Sequence, residues 1–189
     1  MIPDKDFIKN PEVPGPTKEE IRCLVLCKSK VSLGDVVVDI GCGTGGLTLE
    51  FTKRAKMVYA VDKNVEAVKI TQENIKKFGR EEKVQVNQGD ALDFLEKITP
   101  FDILMIGGSS GDLSSIIERG YEKLKINGRI LVTSILLETR VEAVKTMQAL
   151  GMVPDVVDVS ISKGKIMERG TMMLGNNPVT IVSAEKLRR

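Results

Sequence analysis

No other stretch of this chain constrains its fold as much as Val36-Val37-Val38-Asp39-Ile40-Gly41-Cys42-Gly43-Thr44-Gly45-Gly46. A nearly unbroken apolar run leads into four glycines and then into a helical pattern. A strand that is apolar at successive positions must be covered on both faces, as in a parallel sheet. The glycines that follow let the backbone approach a nucleotide-like cofactor closely. Similar runs recur at 58–61, 84–86, 103–106 and 130–137. Helical patterns separate them: Val65, Val68, Ile75 and Phe78 share one face, as do Leu113, Ile116, Ile117, Tyr121 and Leu124.

The ends are read from punctuation. Thr17 with Glu20, and Thr139 with Glu142, have capping-box spacing, and Gly151 follows Leu150 as a stop. Together these predict helices near 18–30 and 140–150. Residues 156–161 and 179–182 are strand-like with no clear helix between them, which predicts a closing antiparallel pair and seven strands in all. Pro3, Pro11, Pro14 and Pro16 make residues 1–16 an extended arm. The chain reads as one domain, 1–189, without repeats.

Composition narrows the chemistry. The sequence contains no His, which removes the commonest general base and metal ligand and argues against triad hydrolases and most zinc enzymes. No metal site in the protein is expected. A net charge of +2, no Trp and two Tyr do not suit an RNA-binding surface. No apolar run approaches the ~20 residues that span a bilayer, and residues 1–20 lack the features of a signal peptide. Cys23, Cys27 and Cys42 have no metal-type spacing and fit a reducing compartment. A cytoplasmic protein that contacts neither membrane nor nucleic acid is expected.

Gly41, Gly43 and Gly46 also satisfy the G-x-G-x-x-G of dinucleotide folds, so the glycine turn alone leaves the cofactor open. Asp62 ends the second strand about twenty residues beyond Gly41, where a carboxylate accepts hydrogen bonds from ribose hydroxyls in either cofactor class. Asp90-Ala91 after the third strand, the terminal strand pair and the lack of a second domain favour methyl transfer over hydride transfer.

Asp39-Ile40-Gly41-Cys42-Gly43-Thr44-Gly45 resembles the first motif of class I methyltransferases. The resemblance implies an α/β, Rossmann-like fold with a seven-stranded, mostly parallel sheet, a terminal antiparallel strand and flanking helices. It also implies that S-adenosylmethionine is the cofactor. Gly41, Cys42, Gly43, Thr44 and Gly45 would line its amino-acid and ribose parts, Asp62 would hold the ribose, and Asp90 and Ala91 would meet the adenine. Asp39 reads as structural. Gly107-Gly108-Ser109-Ser110-Gly111 replaces the Asn/Asp-Pro-Pro-Tyr of amino-group methyltransferases, and Gly107, Gly108 and Ser109 are substrate-side candidates.

Further segments make the resemblance more specific. Ile2-Pro3-Asp4, Asn10-Pro11, 14–22, Ile135-Leu136-Leu137-Glu138-Thr139, Arg169-Gly170-Thr171-Met172-Met173 and Asn177-Pro178-Val179 resemble the decarboxylating cobalt-precorrin C15-methyltransferase family of anaerobic cobalamin synthesis. That resemblance implies C15 methylation of cobalt-precorrin-6B with loss of the C12 acetate carboxyl. It also implies a homotetramer, cobalt carried by the substrate, and Thr17 against the cofactor. Arg169, Lys163, Lys165 and Arg140 are candidates to grip the substrate's carboxylates. Met172 and Met173 are packing or interface candidates, with 160–175 expected in the tetramer contact. The rival readings are an RNA methyltransferase, a non-catalytic cofactor-binding subunit and, more remotely, a nicotinamide enzyme.

Overall fold

The computed structural model describes residues 1–109 and 111–188. Five parallel strands carry the fold: β1 (Val36–Ile40), β2 (Met57–Asp62), β3 (Val84–Gln88), β4 (Phe101–Ile106) and β5 (Leu124–Ser134). Helices α1 (Glu19–Ser29), α2 (Gly46–Thr52), α3 (Val65–Phe78), α4 (Ala91–Lys97), α5 (Leu113–Lys123) and α6 (Leu137–Ala149) flank them. The apolar runs are continuous because alternate residues enter different cores. Val38, Ile40, Leu104, Ile106, Ile130 and Val132 pack in a core with α4, α5 and α6. Val37, Ile103, Met105 and Leu131 pack with α1 and α2.

Beyond β5 come β6 (Asp155–Val159), β7 (Ser162–Met167), β8 (Gly170–Gly175) and β9 (Val179–Glu185). The main sheet has seven strands in the order β3-β2-β1-β4-β5-β9-β6. The expected antiparallel pairing of β6 with β9 is present, and β9 is also antiparallel to β5. Thus the chain-terminal strand is the antiparallel one, but it is inserted between β5 and β6 instead of forming the edge.

Several local expectations need correction. The segment between β6 and β9 is a separate hairpin, β7 with β8, exposed along both strands. The apolar run 130–137 is not one strand: β5 ends at Ser134, and Ile135, Leu136 and Leu137 are exposed as α6 begins. Neither capping box forms. Lys18 and Leu136 occupy the N-cap positions without side-chain caps. Glu20 instead pairs with Lys163 of β7 at 2.7 Å, and Glu142 accepts from the backbone N–H and hydroxyl of Ser114. Val65 lies outside the buried face of α3, which is completed by Ala67, Ile70, Thr71 and Asn74. Gly151 does stop α6, in a left-handed conformation at φ 73°.

The N-terminal arm has no α-helix but is broken by a 3-10 turn at Asp4–Asp6 and by a turn that Val13 N–H closes onto Asn10 O. It is nonetheless anchored: Ile2, Phe7 and Val13 are buried, and Ile2 and Phe7 pack with Leu49 and Ile75.

Candidate active site

In an open parallel sheet, ligands bind beyond the carboxyl ends of the strands where the strand order reverses. Here that point lies between β1 and β4. The backbone N–H groups of Gly41 and Cys42 both donate to Val61 O, and that of Gly107 donates to Ile40 O. Three strand ends are thereby held level. Above them lies a cleft of ≈ 290 Å³, just under the range of about 300–1,000 Å³ usual for small-molecule sites.

The glycine turn forms its floor. Gly41, Gly43 and Gly45 have φ of 73°, 57° and 79°, a region that side chains disfavour. A Cβ on Gly41 would also lie 2.6 Å from the backbone nitrogen of Gly108, so the two loops touch through bare backbone. The Asp62 carboxylate accepts from Gly43 N–H at 3.0 Å and from Asn64 N–H at 2.9 Å. One carboxylate thus ties β2 to the turn, lines the cleft and keeps capacity to accept further hydrogen bonds.

Asp39 lies beneath the turn and is 1 % exposed. Its carboxyl is pushed up to about 7, chiefly by burial, with a 2.6 Å hydrogen bond from the Thr48 hydroxyl opposing and the nearby Asp62 charge adding to the rise. Asp39 lines the cleft but is held from below. Burial, then the charge of Asp39, also pushes the Cys42 thiol up, which favours its neutral form.

Of the residues singled out by sequence, Thr17, Gly41, Cys42, Gly43, Thr44, Asp62, Asp90, Ala91, Gly107, Gly108 and Ser109 all line this one cleft. Gly45 does not. It turns the chain into α2 and would press a Cβ against Thr71 at 3.1 Å, while Gly46 lines the cleft in its stead. Asp90 is both a wall residue and the N-cap of α4, accepting from Leu92 N–H at 2.8 Å. Ser110 lies outside the described residues.

The basic candidates are elsewhere. Arg169 is exposed in the turn between β7 and β8, and neither it nor Lys163, Lys165 or Arg140 lines the cleft. Lys163 is engaged by Glu20, which raises its pKa, and Arg140 by Asp158 and Thr180. Sequence reasoning missed the wall made by Val13, Pro14 and Gly15, and also Asn64. Only Asn64 had a readable signal, as a helix N-cap two residues after the ribose-type aspartate.

The cleft suits a polar, nucleoside-sized cofactor. The Thr44 hydroxyl is buried in its wall without a hydrogen-bond partner, and nothing lies within 4 Å of a Cβ built on Gly43 or Gly89. A buried hydroxyl left unpaired is costly unless a ligand completes it.

Residues 15–186 match the profile of the precorrin methyltransferase domain family. The chain belongs to that family. It is 47 % identical to a probable cobalt-precorrin-6B C(15)-methyltransferase (decarboxylating) of Methanothermobacter thermautotrophicus, over 96 % of this chain and 95 % of the relative. A crystal structure described as precorrin 8W decarboxylase of Methanobacterium thermoautotrophicum superposes with a TM-score of 0.95 at 46 % identity, over 97 % of this chain and 99 % of that one. A precorrin-6Y C5,15-methyltransferase structure from Geobacter metallireducens gives 0.91 at 29 % identity, over 98 % and 96 %. In this precorrin methyltransferase domain, Gly41, Gly43, Asp62 and Asp90 all line one cleft.

Proposed function

We propose that the protein methylates C15 of cobalt-precorrin-6B and releases the carboxyl of the C12 acetate side chain as carbon dioxide, using S-adenosylmethionine. The observation that carries this reading is the run of relatives with that activity in their names, 39–47 % identical over almost their whole lengths. It is joined to a cleft whose cofactor residues are intact. S-adenosylmethionine supplies an electrophilic methyl group when bound. Asp62 would accept from its ribose hydroxyls, Thr44 would complete its own hydroxyl against it, and Asp90 and Ala91 would flank the base. Thr17 would close the arm side.

The remaining task of the chain is positioning, which can contribute roughly 7–11 kcal/mol to a reaction of this kind. That suits a site without His. Gly107, Gly108 and Ser109 give a planar substrate close access beside the cofactor loop. The substrate's conjugated ring can accept the electron pair left by carbon dioxide, and cobalt arrives with the substrate.

The subunits would form a homotetramer through 160–175, a reading supported by Ile166 and Met173 on the hairpin, 86 % and 62 % exposed. In that assembly Arg169 would reach a substrate carboxylate. Free thiols at Cys23 and Cys27 fit a reducing cytoplasm, and no helix among the described residues is long and apolar enough to cross a membrane. Intact glycines and Asp62 weigh against a non-catalytic subunit. The experiment is anaerobic incubation with a cobalt-precorrin, or with RNA, and methyl-labelled cofactor. Label is expected in the corrinoid, and label in RNA alone would overturn the reading.

A further inference from the structure

We infer that Asn74, on the inner face of α3, positions two walls of the cofactor cleft at once: the N-terminal arm and the peptide that presents the Thr44 hydroxyl. The inference rests on the cofactor reading above. Asn74 is fully buried, in mid-helix, where an amide side chain is costly unless its polar atoms are engaged. Its Nδ2 donates to Thr44 O at 3.0 Å and to Ile8 O at 3.1 Å, while its Oδ1 accepts from Ile8 N–H at 2.8 Å. Both donor hydrogens are therefore used, one toward the glycine loop and one toward the arm.

The loop side is a two-point grip. One turn earlier on α3, the Thr71 hydroxyl donates to Gly43 O at 2.8 Å. Two successive carbonyls of the loop are thus turned toward the helix. With its peptide held this way, Thr44 lies in the cleft wall with its own hydroxyl unpartnered.

On the arm side a closed loop is pinned at its middle. The guanidinium of Arg22, itself buried, donates to the carbonyls of both Ile2 and Thr17 and to Asp4 Oδ1. The arm is therefore gathered at its two ends, and Asn74 fastens Ile8 between them. From Ile8 the chain passes to Val13, which packs with Ala67 and Ile70 of α3, and then to Pro14, Gly15 and Thr17 in the cleft wall. Asn74 is thus a positioning residue that acts through Thr44 and the arm.

The test uses the full chain and S-adenosylhomocysteine as the calorimetric probe, well below the melting temperature of each variant. Asn74→Ala is expected to weaken binding about tenfold, since each hydrogen bond removed corresponds to roughly three- to tenfold. The KM for the methyl donor should rise more than kcat falls, and the Ile8 amide should exchange faster. Thr71→Val, nearly isosteric, should weaken binding about threefold through the loop side alone, and Asn74→Asp, which keeps the acceptor for Ile8 N–H but loses both donors, decides the matter if Asn74→Ala does not fold. A role confined to stability would lower the melting temperature and leave affinity and KM unchanged. If the unaltered protein binds the probe and the folded variants bind it within twofold as well, the inference falls and the cofactor reading stands. If the unaltered protein does not bind it at all, both fall.

Discussion

The two ends of the chain's topology solve opposite problems. Around the glycine turn the polar side chains are engaged: Asp39 by Thr48, Asp62 by Gly43 and Asn64, Asn74 by Ile8 and Thr44, Arg22 by the arm. The hairpin of β7 and β8 is the reverse, with Ile166, Met167, Met172, Met173 and Leu174 carried in the open. In the first region the Thr44 hydroxyl, in the wall of the cleft, is the polar atom left without a partner in the glycine turn. The second leaves its apolar surface exposed, and the proposed homotetramer rests on that surface.

The comparison breaks most readily at Gly41. Gly41→Ala adds a Cβ where the Gly108 backbone sits at 2.6 Å and where φ is 73°. Backbone strain alone costs of order 1–3 kcal/mol. Loss of detectable cofactor binding, with a lowered melting temperature, is the expected outcome in calorimetry and thermal melts. A tight-binding Gly41→Ala would mean that the loops are not pressed together as described.

Next comes Asp62→Ala. It removes a charged acceptor from two backbone donors and, in the proposed reading, from the ribose. Cofactor binding should weaken by about 1.5–3 kcal/mol for each charge-assisted hydrogen bond to the ribose that disappears. Unchanged affinity would take Asp62 out of the site.

Asp39 sharpens the contrast through pH. Its folded-state pKa of about 7 lies above the ordinary value of 3.8, so the folded protein holds a proton that the unfolded chain releases first. Stability from this source is lost as pH rises from about 4 to about 7 and is level above that. Asp39→Asn keeps an acceptor for Thr48 without this loss. Thermal melts of the cofactor-free protein should show the variant gaining on the wild type across that window, by about 2–4 °C per kcal/mol of linkage. A constant difference across the window would contradict a buried, proton-holding Asp39.

The hairpin should behave independently. Ile166→Asp is expected to lower the mass measured by light scattering while leaving cofactor affinity within about twofold, since distant sites are nearly additive. A wild-type monomer with full activity would remove the tetramer from the account. Arg169→Ala should have the smallest reach, weakening turnover of the corrinoid and sparing cofactor affinity.

The same contrast explains what was legible in the sequence. The sheet could be read because β1, β2, β4 and β5 bury both faces, which leaves long apolar runs, and the floor of the cleft because positive φ at Gly41 and Gly43 demands glycine. The hairpin could not, because its residues face solvent on both sides and leave no alternation to detect. Helix α4 was missed for a similar reason, with Leu95 its one buried residue. The Thr17 and Glu20 spacing misled because a lysine far along the chain takes the Glu20 carboxylate. The arm's part in the cleft wall depends on Asn74 and Arg22, partners 66 and 20 residues away in sequence, which no local pattern encodes.

One measurement bears most directly on the central claim: mass spectrometry of a cobalt-precorrin after anaerobic incubation with the purified protein and methyl-labelled S-adenosylmethionine. The predicted result is a single corrinoid product that has gained one labelled methyl and lost one carboxyl, absent when Asp62→Ala replaces the wild type at limiting cofactor. A corrinoid recovered unchanged, while the protein demonstrably binds the cofactor, would contradict the proposed activity and leave the fold and the cofactor cleft as they stand.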